Sequence, residues 1–480
     1  GILAHGVLLR GNEEAELREK ILKRGYIKAI IGLPANLFYG TGIPASIIVL
    51  DKSEACADRP VFMIDASRGF TKDGNKNRLR ARDIHKITDA YTRQAAIPGY
   101  SRSVPYAEIA RNDFNLNIPR YIDGSEPEDL QDIEAHLKGG VPNRDIDLLA
   151  EFWDVMPGVR ATLFGPNPRP GYSDPLVAPE DVRATIRNHP EFGAFRDRVQ
   201  GILDGWAGAN APRMDGIRPG DKPNDLIHAI AEDMLIRFSD APLIDRYEAY
   251  QRIMIYWAEV MQDDVFIITY AGWAAAKDLR EARKEIDAKN KVKWLEEADL
   301  TVNKVRLVAD VIPPRLIVAR FFPDMQRALD DAQARAEDLA RQIEELVEEH
   351  GAEGGLLEAA LTDTGKLTAA SVKARIKTGE ADAEETPKLK HAAKLLAAEA
   401  AAKKAVKDAA EALTAATLKT YPDLTEDEIR TLVVDDKWLT DIAELIEAEI
   451  EARTEQLTAR VRVLTERYGQ TIGVVSDDCA

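Results

Sequence analysis

One stretch limits what this chain can fold into more than any other. Residues 27–52 read Ile-Lys-Ala-Ile-Ile-Gly-Leu-Pro-Ala-Asn-Leu-Phe-Tyr-Gly-Thr-Gly-Ile-Pro-Ala-Ser-Ile-Ile-Val-Leu-Asp-Lys. The apolar, β-branched run from Ile27 to Ile31 predicts a strand. Gly32 and Pro34 stop it, because glycine permits positive φ and proline cannot donate to a ladder. Ile43 to Leu50 resumes as a run apolar on both faces, the pattern of a buried strand. Between the two lies a glycine-hinged loop carrying adjacent aromatics, Phe38 and Tyr39, followed by Gly40-Thr41-Gly42. Two rings on a loop at a strand end suit a flat molecule packed against them.

The surrounding residues alternate strands and helices. Gly1 to Leu9 predicts a strand. Asn12 is placed to cap a helix from Glu13 to Arg24, with Glu13, Glu14 and Glu16 at the positive end of its dipole. Gly25 closes that helix. Val61–Asp65 predicts a further strand, and helices are expected from Asp83 to about Tyr91 and over Ser103 to Ala110. Residues 1–125 are therefore α/β material, with few strands for a free-standing doubly wound sheet.

Residues 126–320 read as a mixed, mainly helical region. A helix is expected from Pro127 to Leu137, a loop at Pro166–Gly171, and a helix with core aromatics over Leu243 to Trp257. Strands are expected at Val265–Tyr270 and Lys304–Ile312. The character changes again in residues 321–480. Met325, Leu329, Ala332, Ala336, Leu339, Ile343 and Leu346 recur at spacings of four and three, a heptad seam. An alanine-rich helix over Leu389 to Leu418 and a third from about Asp436 to Tyr468 complete the reading. Together they predict a long antiparallel, coiled-coil-like helical hairpin leaning on other helices. Residues 469–480 lose periodicity.

Composition excludes several function classes. The chain has 480 residues and a formal net charge of −18, which opposes non-specific DNA binding by the whole surface, since phosphate contacts need clustered cations. A local basic stretch does exist: Arg68, Lys72, Lys76, Arg78, Arg80, Arg82 and Lys86. Cys56 and Cys479 have no metal-spaced neighbour, and the histidines are scattered, so no metal site is expected. The acidic pairs Asp263-Asp264 and Asp435-Asp436 are read as caps or surface. No apolar run is long enough to span a bilayer, and the first ten residues lack a basic leader. A reduced, cytoplasmic protein is expected. The chain starts as though within a strand, so it is expected to begin inside a domain.

Two further segments follow the first in order: Gly69-Phe70-Thr71-Lys72-Asp73-Gly74-Asn75-Lys76-Asn77-Arg78-Leu79 and Asn112-Asp113-Phe114-Asn115-Leu116-Asn117-Ile118-Pro119-Arg120-Tyr121. The three together resemble the modification (methylation) subunit of type I restriction-modification systems, adenine-N6 DNA methyltransferases that use S-adenosylmethionine. The resemblance implies that residues 1–125 are the last strands of a Rossmann-like catalytic domain. The family's glycine-rich turn and its Asn-Pro-Pro-aromatic tetrad are not in this sequence; Asn167-Pro168-Arg169 does not match. The chain alone is accordingly expected to bind no cofactor and to be inactive. Implied partners are DNA, a specificity subunit that reads sequence, and a restriction subunit.

The resemblance also implies site residues. Phe38, with Tyr39 beside it, corresponds to the aromatic that stacks on an extruded adenine; the bland reading is core filling. Lys72, Lys76, Arg78, Arg80 and Arg82 are candidates for the DNA backbone; the bland reading is a solvated or ion-paired surface. Asn115, Asn117, Arg120 and Tyr121 are read as a structural clasp, since asparagines bond backbone groups in turns and Pro119 stiffens the exit. The long helices are read as docking a partner subunit. The alternative from another class is a non-catalytic helical interaction module for which the α/β part is a platform.

Overall fold

The structure, a computed structural model, describes residues 1–124, 130–286, 292–362 and 364–469. Two compact units divide it. The first comprises 1–213, 224–261 and 441–480; the second comprises 214–223 and 262–440. The units interleave along the chain, whereas composition divides it consecutively at 125/126 and 320/321. The described part is mainly helical with small sheets, and among the described residues no helix is long and apolar enough to cross a membrane.

In the first unit, strands β1 (Ile2–Ala4), β2 (Ile27–Gly32), β3 (Ala45–Leu50), β4 (Val61–Asp65) and β7 (Ser101–Val104) form one sheet in the order β1-β3-β2-β4-β7. Strands β2 and β4 run parallel, with Ala29 opposite Phe62 and Gly32 opposite Asp65. The other pairings are antiparallel. Strands β5 (Thr71–Asp73) and β6 (Lys76–Arg78) form a separate ribbon. Side-chain alternation builds two cores. Ile30 and Met63 face Leu22 of helix α1 (Glu13–Lys23) and Ile109 of helix α3 (Tyr106–Arg111). Ile31, Phe62 and Ile64 face Ala90 of helix α2 (Ala81–Arg93) on the other side. Helices therefore cover both faces, which is why β2 is buried along nearly its whole length.

Several local expectations need correction. The predicted first strand shortens to Ile2–Ala4, and the chain then turns through a 3₁₀ segment, His5–Leu8, whose His5 N–H donates to Pro44 O (2.9 Å). Asn12 makes no side-chain cap, because its backbone lies in the left-handed region (φ 57°) rather than the extended region a capping residue needs. Strand β3 is only half-buried, since its outer neighbour β1 has three residues. Ser103 and Val104 are strand, and α3 starts only after Pro105. Helix α2 begins at Ala81, with Asp83 accepting the Arg80 N–H (2.9 Å) from its first turn. Part of the predicted Pro127–Leu137 helix lies outside the described residues; Ile133–Lys138 is helical, capped by Asp132. The Leu243–Trp257 segment is helical over Arg246–Tyr256.

In the second unit, Val265–Tyr270 is not a strand but the body of a helix, Gln262–Ala271. Acidic residues at its first turn and Thr269 Oγ1 bonding back to Val265 O (2.8 Å) are helical behaviour that an apolar run alone does not reveal. Asp264 is not a surface residue either. It is 2% exposed and accepts from Lys437 Nζ (2.6 Å) and Trp438 Nε1 (2.8 Å). Burial raises its carboxyl pKa, and the lysine opposes that shift. In helix Pro323–His350, Leu329, Ile343 and Leu346 are buried, while Met325, Ala332, Ala336 and Leu339 are half-buried. Its end packs on the start of helix Glu385–Asp423, at Leu389, Ala392, Leu395 and Leu396, so the two are antiparallel. A π-helical segment, Thr431–Leu439, lies at the end of this unit; the third predicted helix, α-helical over Thr440–Tyr468, belongs from Asp441 on to the first unit.

The turn after α1 yields a direct test. Gly25 has φ +65°, and a Cβ there lies 1.9 Å from Cys56 O. Gly25→Ala is expected to lower unfolding free energy by at least about 2 kcal/mol. Gly11→Ala, in open space, is expected to change it by less than about 0.5 kcal/mol. Urea denaturation of both variants checks this; equal midpoints contradict it.

Candidate functional site

The loop of residues 33–44 leaves the carboxyl end of β2 and returns as β3. Leu33 N–H donates to Ala45 O (2.9 Å) and closes its neck. Leu33 and Leu37 turn into the core shared with α2. Phe38 stays 39% exposed and Tyr39 94% exposed. The core is thus filled by the leucines on either side of the turn, while both rings face outward. Inside the loop, Asn36 N–H reaches Gly42 O at 3.4 Å and Ile43 N–H reaches Thr41 Oγ1 at 3.1 Å.

Most of the loop's support comes from the β5–β6 ribbon. Asn77 donates from its backbone N–H to Asn36 O (3.0 Å) and from Nδ2 to Ala35 O (2.7 Å). Lys76 Nζ donates to Phe38 O (2.8 Å) and Thr41 O (3.2 Å). Lys76 is therefore turned onto the loop. Arg80 makes a two-pronged pair with Asp83 (2.8 and 3.0 Å). Arg82 pairs with Glu248, and burial, then the neighbouring Arg80, lowers its pKa. Lys72 is exposed, with its ammonium 5.7 Å from the Phe70 ring. Arg78 is exposed and 3.6 Å from Asp73. Of the five cations singled out, Lys72 and Arg78 alone keep open surface.

A cavity of about 250 Å³ opens beside this ribbon. Arg68, Arg80, Arg82 and Lys86 line it against Asp65, Asp83, Asp245 and Glu248. The charges balance, so the cavity offers no net field for an anion. Tyr100 and Tyr247 stand under Lys86, 4.5 and 5.7 Å from its ammonium, and burial raises the pKa of both phenols.

The third motif packs behind the loop. Ile118 is buried where a Cβ on Gly32 would stand, 2.8 Å from its Cδ1. Asn115 Oδ1 accepts the Asn117 N–H (2.9 Å), an Asx turn. Asn117 Oδ1 meets His5 Nε2 (3.0 Å), and His5 Nδ1 meets Ser46 Oγ on β3 (3.0 Å). Tyr121 donates its hydroxyl to Asn115 O, and its own carbonyl accepts from Arg102 Nε (2.6 Å). Arg102 also pairs with Glu108 (2.5 Å) and holds that carboxyl below the usual range. Arg120 is exposed, and its backbone N–H donates to Asn117 O (3.0 Å). Sequence reasoning missed the His5 link and the work of Asn77. Asn77 is marked by its place in the second motif alone, and His5 by neither motif, spacing nor charge.

Among the described residues no group of three His, Cys, Asp or Glu side chains is placed to hold a metal. Nor do the residues present fit S-adenosylmethionine at the glycine that ends β2, because Ile118 fills the space beside Gly32.

Residues 1–130 match the N-6 DNA Methylase family model. The resemblance read from the sequence, to the modification subunit of a type I system, holds across this segment. The type I restriction enzyme MpnII methylase subunit of Mycoplasma pneumoniae is 28% identical over 157 residues, 32% of this chain and 29% of that protein. The MjaVII methylase subunit of Methanocaldococcus jannaschii is 35% identical over 141 residues, 28% of this chain and 24% of that protein. The match thus spans about a quarter to a third of the length of these relatives. A solved type I methyltransferase subunit from Streptococcus thermophilus is 44% identical over 26% of each chain, with a TM-score of 0.25, which carries no structural argument.

The Arg102–Glu108 pair has a pH signature. Because Arg102 depresses the Glu108 pKa, the pair's contribution is present above the ordinary value of 4.5 and is lost as pH falls through the lower folded value. Glu108→Gln is expected to lower the melting temperature at pH 7, with the gap to the parent narrowing below pH 4.5. Thermal melts across pH check this; a gap independent of pH contradicts it.

Proposed function

We propose that this chain is part of a type I modification subunit that methylates adenine N6 in DNA, and that Phe38 forms one wall of the pocket for the extruded base. The observation that carries the reading is the Phe38 loop. It lies within the methylase-like segment, at the carboxyl end of a parallel strand, with its ring exposed while neighbouring leucines fill the core. Enzymes that act on a base rotate it out of the stack and hold it against aromatic or apolar side chains. Tyr39, more exposed still, extends the same surface. Ligands of open α/β sheets characteristically bind beyond the carboxyl ends of the strands.

S-adenosylmethionine, when bound, supplies the methyl group. Its cradle, and the amide and carbonyl that accept hydrogen bonds from the adenine amino group, come from outside these 480 residues, since neither motif is in the sequence. This chain's part is to receive and orient the base. Lys72 and Arg78, the exposed cations of the ribbon, contact phosphates beside it and position DNA without reading sequence. Sequence is read by a specificity subunit, and a restriction subunit completes the assembly. The antiparallel helices of the second unit dock the specificity subunit through at least one exposed face. The protein works in the cytoplasm.

In the complete enzyme, Phe38→Ala is expected to slow methyl transfer roughly 10- to 100-fold, the worth of one base–aromatic stack. S-adenosylmethionine affinity should not change, and Phe38→Tyr should keep most of the rate. Single-turnover transfer of a labelled methyl group, with cofactor binding measured by calorimetry, checks this. An unaltered rate in Phe38→Ala contradicts the assignment.

A further inference from the structure

Resting on the reading of Phe38 above, we propose that Lys76 and Asn77 are positioning residues: the β5–β6 ribbon, not the loop itself, sets where the Phe38 ring stands. The loop has little internal structure to hold a ring in place. Its own bonds are one long contact, Asn36 to Gly42, and one short side-chain turn at Thr41. Gly40, at φ +79°, adds a freely turning joint between Tyr39 and Thr41.

Four bonds arrive from the ribbon, and they fall on the carbonyls of Ala35, Asn36, Phe38 and Thr41. The bond to Phe38 O fixes the peptide plane that follows the ring-bearing Cα. The bonds to Ala35 and Asn36 fix the approach to it. A lysine ammonium has three donors and no acceptor, so one Lys76 can hold two carbonyls at once. Asn77 is 6% exposed and grips through its N–H groups alone, its Oδ1 having no partner. The ribbon is itself braced, with Asp73 opposite Lys76 and Thr71 opposite Arg78 in antiparallel register. Pre-set geometry of this kind raises rate rather than affinity, because a group misplaced by about 1 Å can cost about 100-fold.

This placement also separates Lys76 from its exposed neighbours. Lys76 Nζ is turned onto the loop carbonyls and not toward a phosphate, so its removal is expected to leave the salt dependence of DNA binding unchanged. Removal of Lys72 or Arg78 lowers the salt slope.

The test uses Lys76→Met and Asn77→Asp, with Lys76→Arg as the conservative replacement that can still reach both carbonyls. In this chain, amide hydrogen exchange across residues 35–43 is expected to speed up about tenfold in the first two variants, with β2 and β4 amides unchanged. In the complete enzyme, the same variants are expected to lose about 10- to 100-fold in methyl-transfer rate. The KM for S-adenosylmethionine and the salt slope of DNA binding stay as they were, and Lys76→Arg recovers the rate. Unchanged loop exchange in both variants overturns the proposal, as does a Lys76→Met rate loss that comes with a lower salt slope. Full activity in Phe38→Ala with faster loop exchange in Lys76→Met keeps the support and removes the base-binding reading on which its purpose rests. A normal rate in Lys76→Met beside a damaged Phe38→Ala does the reverse.

Discussion

The absence of a side chain at Gly32 lets three separate parts of the chain meet. Gly32 is the last residue of β2, pairs with Ser46 on β3 and Asp65 on β4, and accepts the Ala66 N–H at 2.9 Å. Ile118 takes the space a Cβ would fill. A Cβ at 32 would meet the terminal methyl of Ile118, which would have to shift to admit it. Motifs separated by dozens of residues thus converge: the first supplies the loop, the second holds its carbonyls from the ribbon, and the third packs behind its root and ties His5 to β3. The exposed rings stand on a root that is buried at Gly32 and Leu33 and bonded from the ribbon.

Charge is used in the same inward way. A chain with a net charge of −18 has few cations to place on DNA, and the densest basic stretch spends most of them within the fold. Lys76 holds carbonyls, Arg80 and Arg82 answer carboxylates, and Lys86 lies over tyrosine rings. Such pairs fix geometry more than they add stability. Of that stretch, Arg68, Lys72 and Arg78 are left exposed.

What was legible in the sequence follows from how local its causes were. Strands β2 to β4 came from β-branched runs with glycine and proline stops, and the heptad seam from its spacing. The Asx turn at Asn115 needs only its own residues. The errors lay where backbone conformation or distant partners decide. Asn12 has the chemistry of a cap, but its φ of 57° denies it the geometry. Val265–Tyr270 is apolar enough for either element, and its acidic first turn made it helix. For the basic stretch the sequence leaves phosphate contact and a solvated or ion-paired surface both open, and nothing along the chain says that Lys76 has Phe38 O and Thr41 O within reach. Asn77 carried no signal beyond its place in a motif, and its role is visible only when the ribbon and the loop are seen together.

The central claim is that the Phe38 ring lies against the target adenine. Replacing Phe38 with the photoreactive p-benzoylphenylalanine and irradiating the complete enzyme on DNA containing its recognition site tests this most directly. The account predicts a covalent adduct mapped by mass spectrometry to the target adenine nucleotide, absent from DNA lacking the site. Adducts confined to protein, or spread over nucleotides outside the recognition site, would contradict it.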